Sequence, residues 1–244
     1  MNKLQVYNLF KNRRELNKGI LISFEGIDGS GKRTHVNQLE EELKEMGYKV
    51  KKFDFPNYKS TIGKVISSYL CGEFGDINNV PHELICIAYA SDRAKFREEI
   101  NWYLNNNYIV LCDRYTYSNL FTAAKMEESK RLPFIEWIEK LEFNEMKVVR
   151  PDWNFFLYVD PNISIDRIQE RGKRDYQNGK DDIHETNSQL LIDTTKTYLD
   201  FANSRKDWIV VDQMENGKQL PIDDVFDLIR LQIKTIVSNV EKES

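Results

Sequence analysis

Residues 20–34, ILISFEGIDGSGKRT, restrict the fold of this chain more than any other segment. ILISFE is a continuous apolar run of the kind that forms a strand buried on both faces, and a helical pattern begins at Lys32. Between them, Gly26-Ile27-Asp28-Gly29-Ser30-Gly31-Lys32 fits G-x-x-x-x-G-K. Glycines at these places let successive backbone N–H groups converge on an anion, and the helix N-terminus adds a favourable dipole. Residues 26–34 therefore read as a nucleotide-phosphate loop, with Lys32 as the charge that reaches the β- and γ-phosphates. One position departs from the usual pattern. A metal-ligating Ser or Thr normally follows the lysine, but here it is Arg33, with Thr34 one place later. Arginine cannot ligate a cation, so any Mg²⁺ has to be held by other groups or through water.

The rest of the chain repeats the strand-then-helix alternation. Apolar runs at Ile20–Phe24, Val50–Phe55, Tyr108–Cys112, Phe155–Val159 and Trp208–Val211 predict five strands. Amphipathic stretches near Lys32–Met46, Ile62–Leu70, Pro81–Leu104, Leu132–Leu141, Ile163–Arg171, Glu185–Asn203 and Ile222–Asn239 predict helices. Continuous apolar strands alternating with helices imply an α/β fold, a parallel sheet covered on both faces, with ligands at the carboxyl ends of the strands. Residues 167–182, RIQERGKRDYQNGKDD, break the pattern, being dense in charge with no apolar period. They read either as a solvated loop or as a lid that brings Arg171, Lys173 and Arg174 over bound phosphates.

Composition bounds the function. With 244 residues, 41% hydrophobic and 30% charged, the chain can bury a sizeable core as one domain with a small insertion, or at most two small domains. A net charge of -4 argues against a general nucleic-acid binder, so an anion site has to be built locally. Three scattered cysteines without ligand spacing point to a reduced, cytoplasmic setting. No apolar run approaches the roughly 18 residues of a membrane span. Residues 1–18 lack an apolar core of the signal-peptide type and read as an arm ahead of a domain at 19–240.

Two further groupings carry chemistry. Tyr108–Tyr115, YIVLCDRY, is an apolar run ending in Asp113 and Arg114. A carboxylate there can hold Mg²⁺ directly or through water, with Arg114 clamping a phosphate in the same crevice; a surface ion pair is the plainer reading. Tyr89 and Arg93, four apart, share one helix face and suit a planar heterocycle, or equally a core tyrosine beside a snorkelling arginine.

Together FEGIDGSGKRTH, FPNYKSTIG, AYASDR, CDRYTYSN, RPDWNFFLYVD, ERGKRD and DIHE resemble the thymidylate kinase family of the P-loop nucleoside-monophosphate kinases. The resemblance implies a three-layer P-loop kinase fold, a parallel five-stranded sheet flanked by helices with a short lid at about 167–182. It implies phosphorylation of dTMP by ATP and Mg²⁺ in a cytoplasmic homodimer. Lys32, Arg114, Arg171 and Arg174 would be catalytic, with Arg167 and Lys173 in reserve. Asp28 would meet the deoxyribose and, with Asp113, the metal. Tyr89, Arg93 and Asn119 would address thymine, Phe121 the 2′ position, and Phe55 the pocket edge. Tyr58 would contact the acceptor phosphate, and Asp182 and His184 the sugar and phosphate. The family's arginine beside Phe-Pro is Asn57 here, with Lys59 as the nearest substitute charge. That departure leaves two other readings: a deoxynucleoside kinase, or a catalytically silent nucleotide-binding protein.

Overall fold

The computed structural model describes residues 16–76, 79–171, 175–177, 182–185 and 187–242; of Arg171, Tyr176 and Lys242 it describes the backbone only. In chain order the elements are β1 (Ile20–Glu25), α1 (Lys32–Glu45), β2 (Val50–Asp54), α2 (Thr61–Leu70), α3 (His82–Ala94), α4 (Arg97–Asn105) and β3 (Ile109–Asp113). A 3₁₀ turn at Thr116–Asn119 leads into α5 (Leu120–Ala123), α6 (Glu128–Glu139) and a π-helical turn at Lys140–Glu145. Then come β4 (Trp153–Tyr158), α7 (Pro161–Arg171), a short turn at Asp175–Gln177 and α8 (Ser188–Asn203). The chain closes with β5 (Trp208–Asp212), β6 (Met214–Glu215), β7 (Lys218–Gln219) and α9 (Ile222–Lys242).

The main sheet runs β2-β3-β1-β4-β5, every pairing parallel. This is the five-stranded parallel sheet expected from the apolar runs. Side chains alternate across it because the strand period is two. Ile20, Ile22 and Phe24 of β1 face α1 and α9, where Val36, Leu39, Phe226, Ile229 and Ile233 close one core layer. Leu21, Val110 and Cys112 face the other way onto Ala94 and Ile100, while Phe156 meets Tyr198, Phe201 and Ile138. Two layers of helix with a sheet between them follow directly from this alternation. Full burial of such a side chain contributes about 1.5–3 kcal/mol each. On the edge strand β2, Lys51 and Lys52 are only half-buried, a pattern that discourages pairing with another chain.

The structure corrects several expected boundaries. The single helix predicted over Pro81–Leu104 is two. At Phe96 the bonding tightens from the i−4 to the i−3 carbonyl, with Phe96 N–H donating to Arg93 O at 2.9 Å. The Phe96 ring turns inward against Phe53 and Phe55, at 5.9 and 5.6 Å between centroids. The helix predicted from Glu185 begins at Ser188, because the Asn187 side chain accepts from Leu190 N–H and caps it. Leu16, placed in the arm by the sequence, is 2% exposed in the core, and Asn17 Nδ2 donates to Glu241 O of α9 at 3.1 Å. The β6–β7 hairpin is an element the apolar pattern did not predict. Its turn is Asn216-Gly217, with φ of 52° and 73°, a two-residue turn that this dipeptide favours.

Candidate functional site

The parallel register brings the carboxyl ends of β1, β2 and β3 level, with Phe24 and Asp54 each opposite Asp113. The loop Gly26–Gly31 leaves β1 at this edge and feeds α1. Lys32 is buried there, its ammonium donating to Gly26 O at 2.9 Å, Ile27 O at 2.7 Å and Ser30 Oγ at 3.2 Å. These oxygens stabilise a buried cation and can be exchanged for those of a phosphate. Ile27 gives the loop only its backbone, since its side chain is core. Arg33 and Thr34 are exposed and line the open cleft beside the loop.

Three consecutive loop carbonyls are held from behind. Ser164 Oγ of α7 donates to Asp28 O, Arg167 Nη1 to Gly29 O at 3.2 Å, and Gln213 Nε2 to Ser30 O at 2.9 Å. In a planar trans peptide the N–H points opposite to its C=O, so fixing these carbonyls turns the N–H groups of Gly29 and Gly31 to the other side, as an anion requires, while Ser30 N–H donates to Ile27 O at 3.3 Å. Ser164 and Gln213 were missed by the sequence reading. Gln213 follows β5 immediately, where ligand-side residues of such sheets lie, but nothing in its identity marks it.

Arg114 joins the loop to the rest of the site. It follows β3 with φ 65°, and its Nη2 donates to Asp28 Oδ1 at 2.8 Å and Nη1 to Gly26 O at 3.1 Å. Burial opposes the guanidinium charge, and Asp28 together with Tyr198, Asp113 and Glu25 outweighs it, so Arg114 titrates above its usual value. Behind it, buried Glu25 accepts from Tyr115 N–H at 2.9 Å, Ser118 Oγ at 2.7 Å and Tyr198 OH at 3.2 Å. Burial pushes the Glu25 carboxyl up. Asp113 faces Arg33 Nε at 3.7 Å. The two expected metal carboxylates thus lie at the loop, each opposite a guanidinium.

A small cavity of about 50 Å³ opens on the far side of Arg114. Its walls bring together Asp28, Phe55, Tyr58, Tyr89, Arg93, Arg114, Phe121, Asp182 and His184, with Ser118 and Thr122. Asn119 is not in the wall; it and Arg93 both bond to Glu142, a buried residue the sequence reading did not single out. Burial works against the charge of Arg93, and Glu142 outweighs it, so the guanidinium stays protonated. His184 stacks on Phe121 with centroids 4.6 Å apart, and its Nε2 lies 3.0 Å from Tyr69 OH and 3.3 Å from Lys125 Nζ. Burial first, then Lys125, holds the imidazole well below its usual pKa and therefore neutral. Asp182 Oδ1 accepts from His184 N–H at 2.7 Å. Asp92 braces the loop that carries Tyr58, accepting from Asn57 N–H at 2.7 Å and Ser60 Oγ at 2.9 Å. Lys59 is exposed and lines the open cleft instead of the small cavity.

The lid at 167–182 lies partly outside the described residues. Lys173 and Arg174 lie outside the described residues, as do residues 1–15 of the arm, and the Arg171 side chain is not described. Arg167, the reserve residue, is in place against the loop. Among the described residues no cluster of three or more His, Cys, Asp or Glu side chains could hold a metal, and no helix is long and apolar enough to cross a membrane.

Comparison with known proteins identifies relatives of this arrangement. The thymidylate kinase family model matches residues 24–223. The chain is 30% identical to thymidylate kinase of Mycobacterium tuberculosis over 185 residues, 75% of this chain and 86% of that protein. It is 29% identical to thymidylate kinase of Plasmodium falciparum over 218 residues, 89% of this chain and 93% of that one. The solved structure of thymidylate kinase from Candida albicans matches with a TM-score of 0.70 at 24% identity, covering 92% of this chain and 94% of that one, a likeness of fold.

Proposed function

Because the chain belongs to the thymidylate kinase family, we propose that it transfers the γ-phosphoryl group of ATP to the phosphate of dTMP, with Mg²⁺, giving dTDP and ADP on the way to dTTP. One observation carries the residue-level reading: Arg114 lines both the open cleft beside the phosphate loop and the small cavity behind it. A donor in the cleft and an acceptor in the cavity would meet at this guanidinium.

In the transfer, an oxygen of the dTMP phosphate attacks the γ-phosphorus, and the bond from that phosphorus to the β-bridging oxygen breaks, leaving its electrons on ADP. Little covalent work falls to the protein, so positioning and charge dominate. Lys32 would exchange its loop oxygens for those of the β- and γ-phosphates. Arg114 would leave Asp28 to hold the acceptor phosphate, freeing Asp28 for the deoxyribose. Tyr58, held by the Asp92-braced loop, would contact the same phosphate where the family's arginine is replaced by Asn57. Tyr89, Arg93 and Asn119 would read the base, with Phe55 at the pocket edge and Phe121 against the 2′ position of the sugar. Asp182 would fix the turn that carries His184, whose neutral ring can donate to the sugar or phosphate without adding charge. Arg171 and Arg174 would close the donor from the lid, a role in which arginines contribute on the order of 10³–10⁵ in rate.

Mg²⁺ fits the residues present. This ion commonly takes one or two carboxylates and completes its shell with phosphates and water, so Asp28 and Asp113 suffice as protein ligands. When bound it neutralises charge on the transferring group. At about 50 Å³ the cavity is below the roughly 300 Å³ at which ligand pockets begin, so a nucleotide enters as the walls part. Residues 19–240 would form the catalytic domain with 167–182 as lid, in a cytoplasmic protein. A homodimer is the assembly that membership of the family implies.

The test is coupled ADP release over dTMP, dUMP, dCMP, dGMP and thymidine. The proposal requires dTMP to be the preferred acceptor. Activity confined to thymidine, or ATP binding without transfer to any monophosphate, would sink it.

A further inference from the structure

One carboxylate organises the polar back of the small cavity, yet no step of the transfer uses it. Glu142 is 0% exposed and sits in the π-helical turn after α6. It accepts from Arg93 Nε at 3.2 Å and from Arg93 Nη2, and its Oε1 also accepts from Asn119 Nδ2 at 3.0 Å. Arg93 lines the cavity; Asn119 lies one residue from Ser118 and two from Phe121, which also line it.

These bonds leave each side chain one kind of group to offer. With Nε and Nη2 engaged, Arg93 retains Nη1, which can only donate. An asparagine amide can present either its oxygen or its nitrogen, but anchoring Nδ2 on a carboxylate removes that choice and leaves Oδ1, which can only accept. Neither Arg93 Nη1 nor Asn119 Oδ1 makes a hydrogen bond to another side chain among the described residues.

We propose that Glu142 is a positioning residue that fixes the hydrogen-bond polarity of the base pocket, selecting a pyrimidine edge with a carbonyl beside a ring N–H and rejecting cytosine. Thymine and uracil offer an acceptor at O4 and a donor at N3, which complement a fixed donor and a fixed acceptor. Cytosine presents an amino donor and a bare ring nitrogen, so both contacts would be mismatched in a buried site, where unpaired polar groups are costly. Specificity would come from a residue that never touches the base. The inference rests on the reading of this cavity as the base pocket.

The test compares Glu142→Gln and Glu142→Asp in the full chain, measuring kcat and KM for dTMP, dUMP and dCMP and KM for ATP. Glutamine keeps the shape but offers one oxygen, so the Asn119 amide is free to turn. The dTMP KM is expected to rise about 10- to 100-fold, the dTMP-over-dCMP ratio of kcat/KM to fall at least about tenfold, and the ATP KM to stay unchanged. Aspartate retains the counter-charge of Arg93 but withdraws it by one methylene, giving a smaller change in the same direction. Should Glu142→Gln fail to fold, Glu142→Asp alone decides. Folded variants with wild-type selectivity and wild-type dTMP KM overturn the inference whatever their Tm. A wild-type chain with no preference for dTMP over dCMP instead removes the base-pocket reading itself.

Discussion

Gly29 and Gly217 make a matched pair for testing how the phosphate loop is seated. Their φ angles are nearly equal, 77° and 73°, so an alanine at either carries the same left-handed backbone cost of about 1–2 kcal/mol. Their surroundings differ. A Cβ on Gly29 would fall 2.7 Å from both the backbone O and the Oγ of Ser164, whereas at Gly217 nothing lies within 4 Å. The Ser164 backbone oxygen belongs to α7 and cannot swing aside as a long side chain would. Overpacking of this sort costs about 1–3 kcal/mol further. Gly29→Ala should therefore be about 2–5 kcal/mol less stable than wild type, and Gly217→Ala only about 1–2 kcal/mol. At roughly 2–4 °C per kcal/mol for a chain of this size, differential scanning calorimetry separates them. Activity should separate them further. Relief of the clash moves α7 from the loop that Ser164 and Arg167 hold, and a misplacement of about 1 Å costs on the order of 10²-fold in rate. Gly29→Ala should lose ATP turnover while Gly217→Ala keeps it. Equal Tm and equal ATP kinetics in the two variants would refute the claim that α7 seats the loop.

Three other outcomes follow from the site. His35, its pKa lowered from 6.5 to about 4 by burial and then by Arg167, stays neutral while the unfolded chain takes up a proton. Stability should therefore fall as pH drops from 6.5 towards 4, by on the order of 3 kcal/mol, and urea unfolding of His35→Phe should show a shallower acid slope. Lys125 behaves in the opposite sense, since burial lowers it from 10.5 to about 8. The fold disfavours its charge below about pH 8, and that cost is relieved as pH rises towards 10.5. Thermal unfolding between pH 7.5 and 9.5 should show stability rising in the wild type and a flatter profile in Lys125→Met. Asp92→Asn should weaken the hold on Asn57 N–H and Ser60 Oγ, raising the dTMP KM about 10- to 100-fold with little change for ATP; equal effects on both substrates would contradict a local role.

Much of this architecture was legible in the sequence, for a physical reason. Strands buried on both faces are continuous apolar runs, so ILISFE and YIVLCD announced β1 and β3 to within a residue. The loop glycines were legible because backbone approach to an anion constrains residue type. Long-range partners were not. In KLEFNE, Glu142 looks like any solvated charge, and only the π-helical turn carries it inward to Arg93. Phe96 continues the apolar period of its neighbours, so the sequence does not show that its ring turns towards Phe53 and breaks the helix. The β6–β7 hairpin left a clear mark in Asn216-Gly217, but its two-residue strands are too short for any alternation to show.

If two nucleotides meet at Arg114, the fate of the γ-phosphate records the transfer. The chain is incubated with ATP labelled on the γ-phosphate, Mg²⁺ and either dTMP or thymidine, with Lys32→Met as the control. Label should appear in dTDP, with little or none in dTMP formed from thymidine, and the dTDP signal should be lost in the variant. Label appearing from thymidine instead, or dTDP formation undiminished in Lys32→Met, would contradict it.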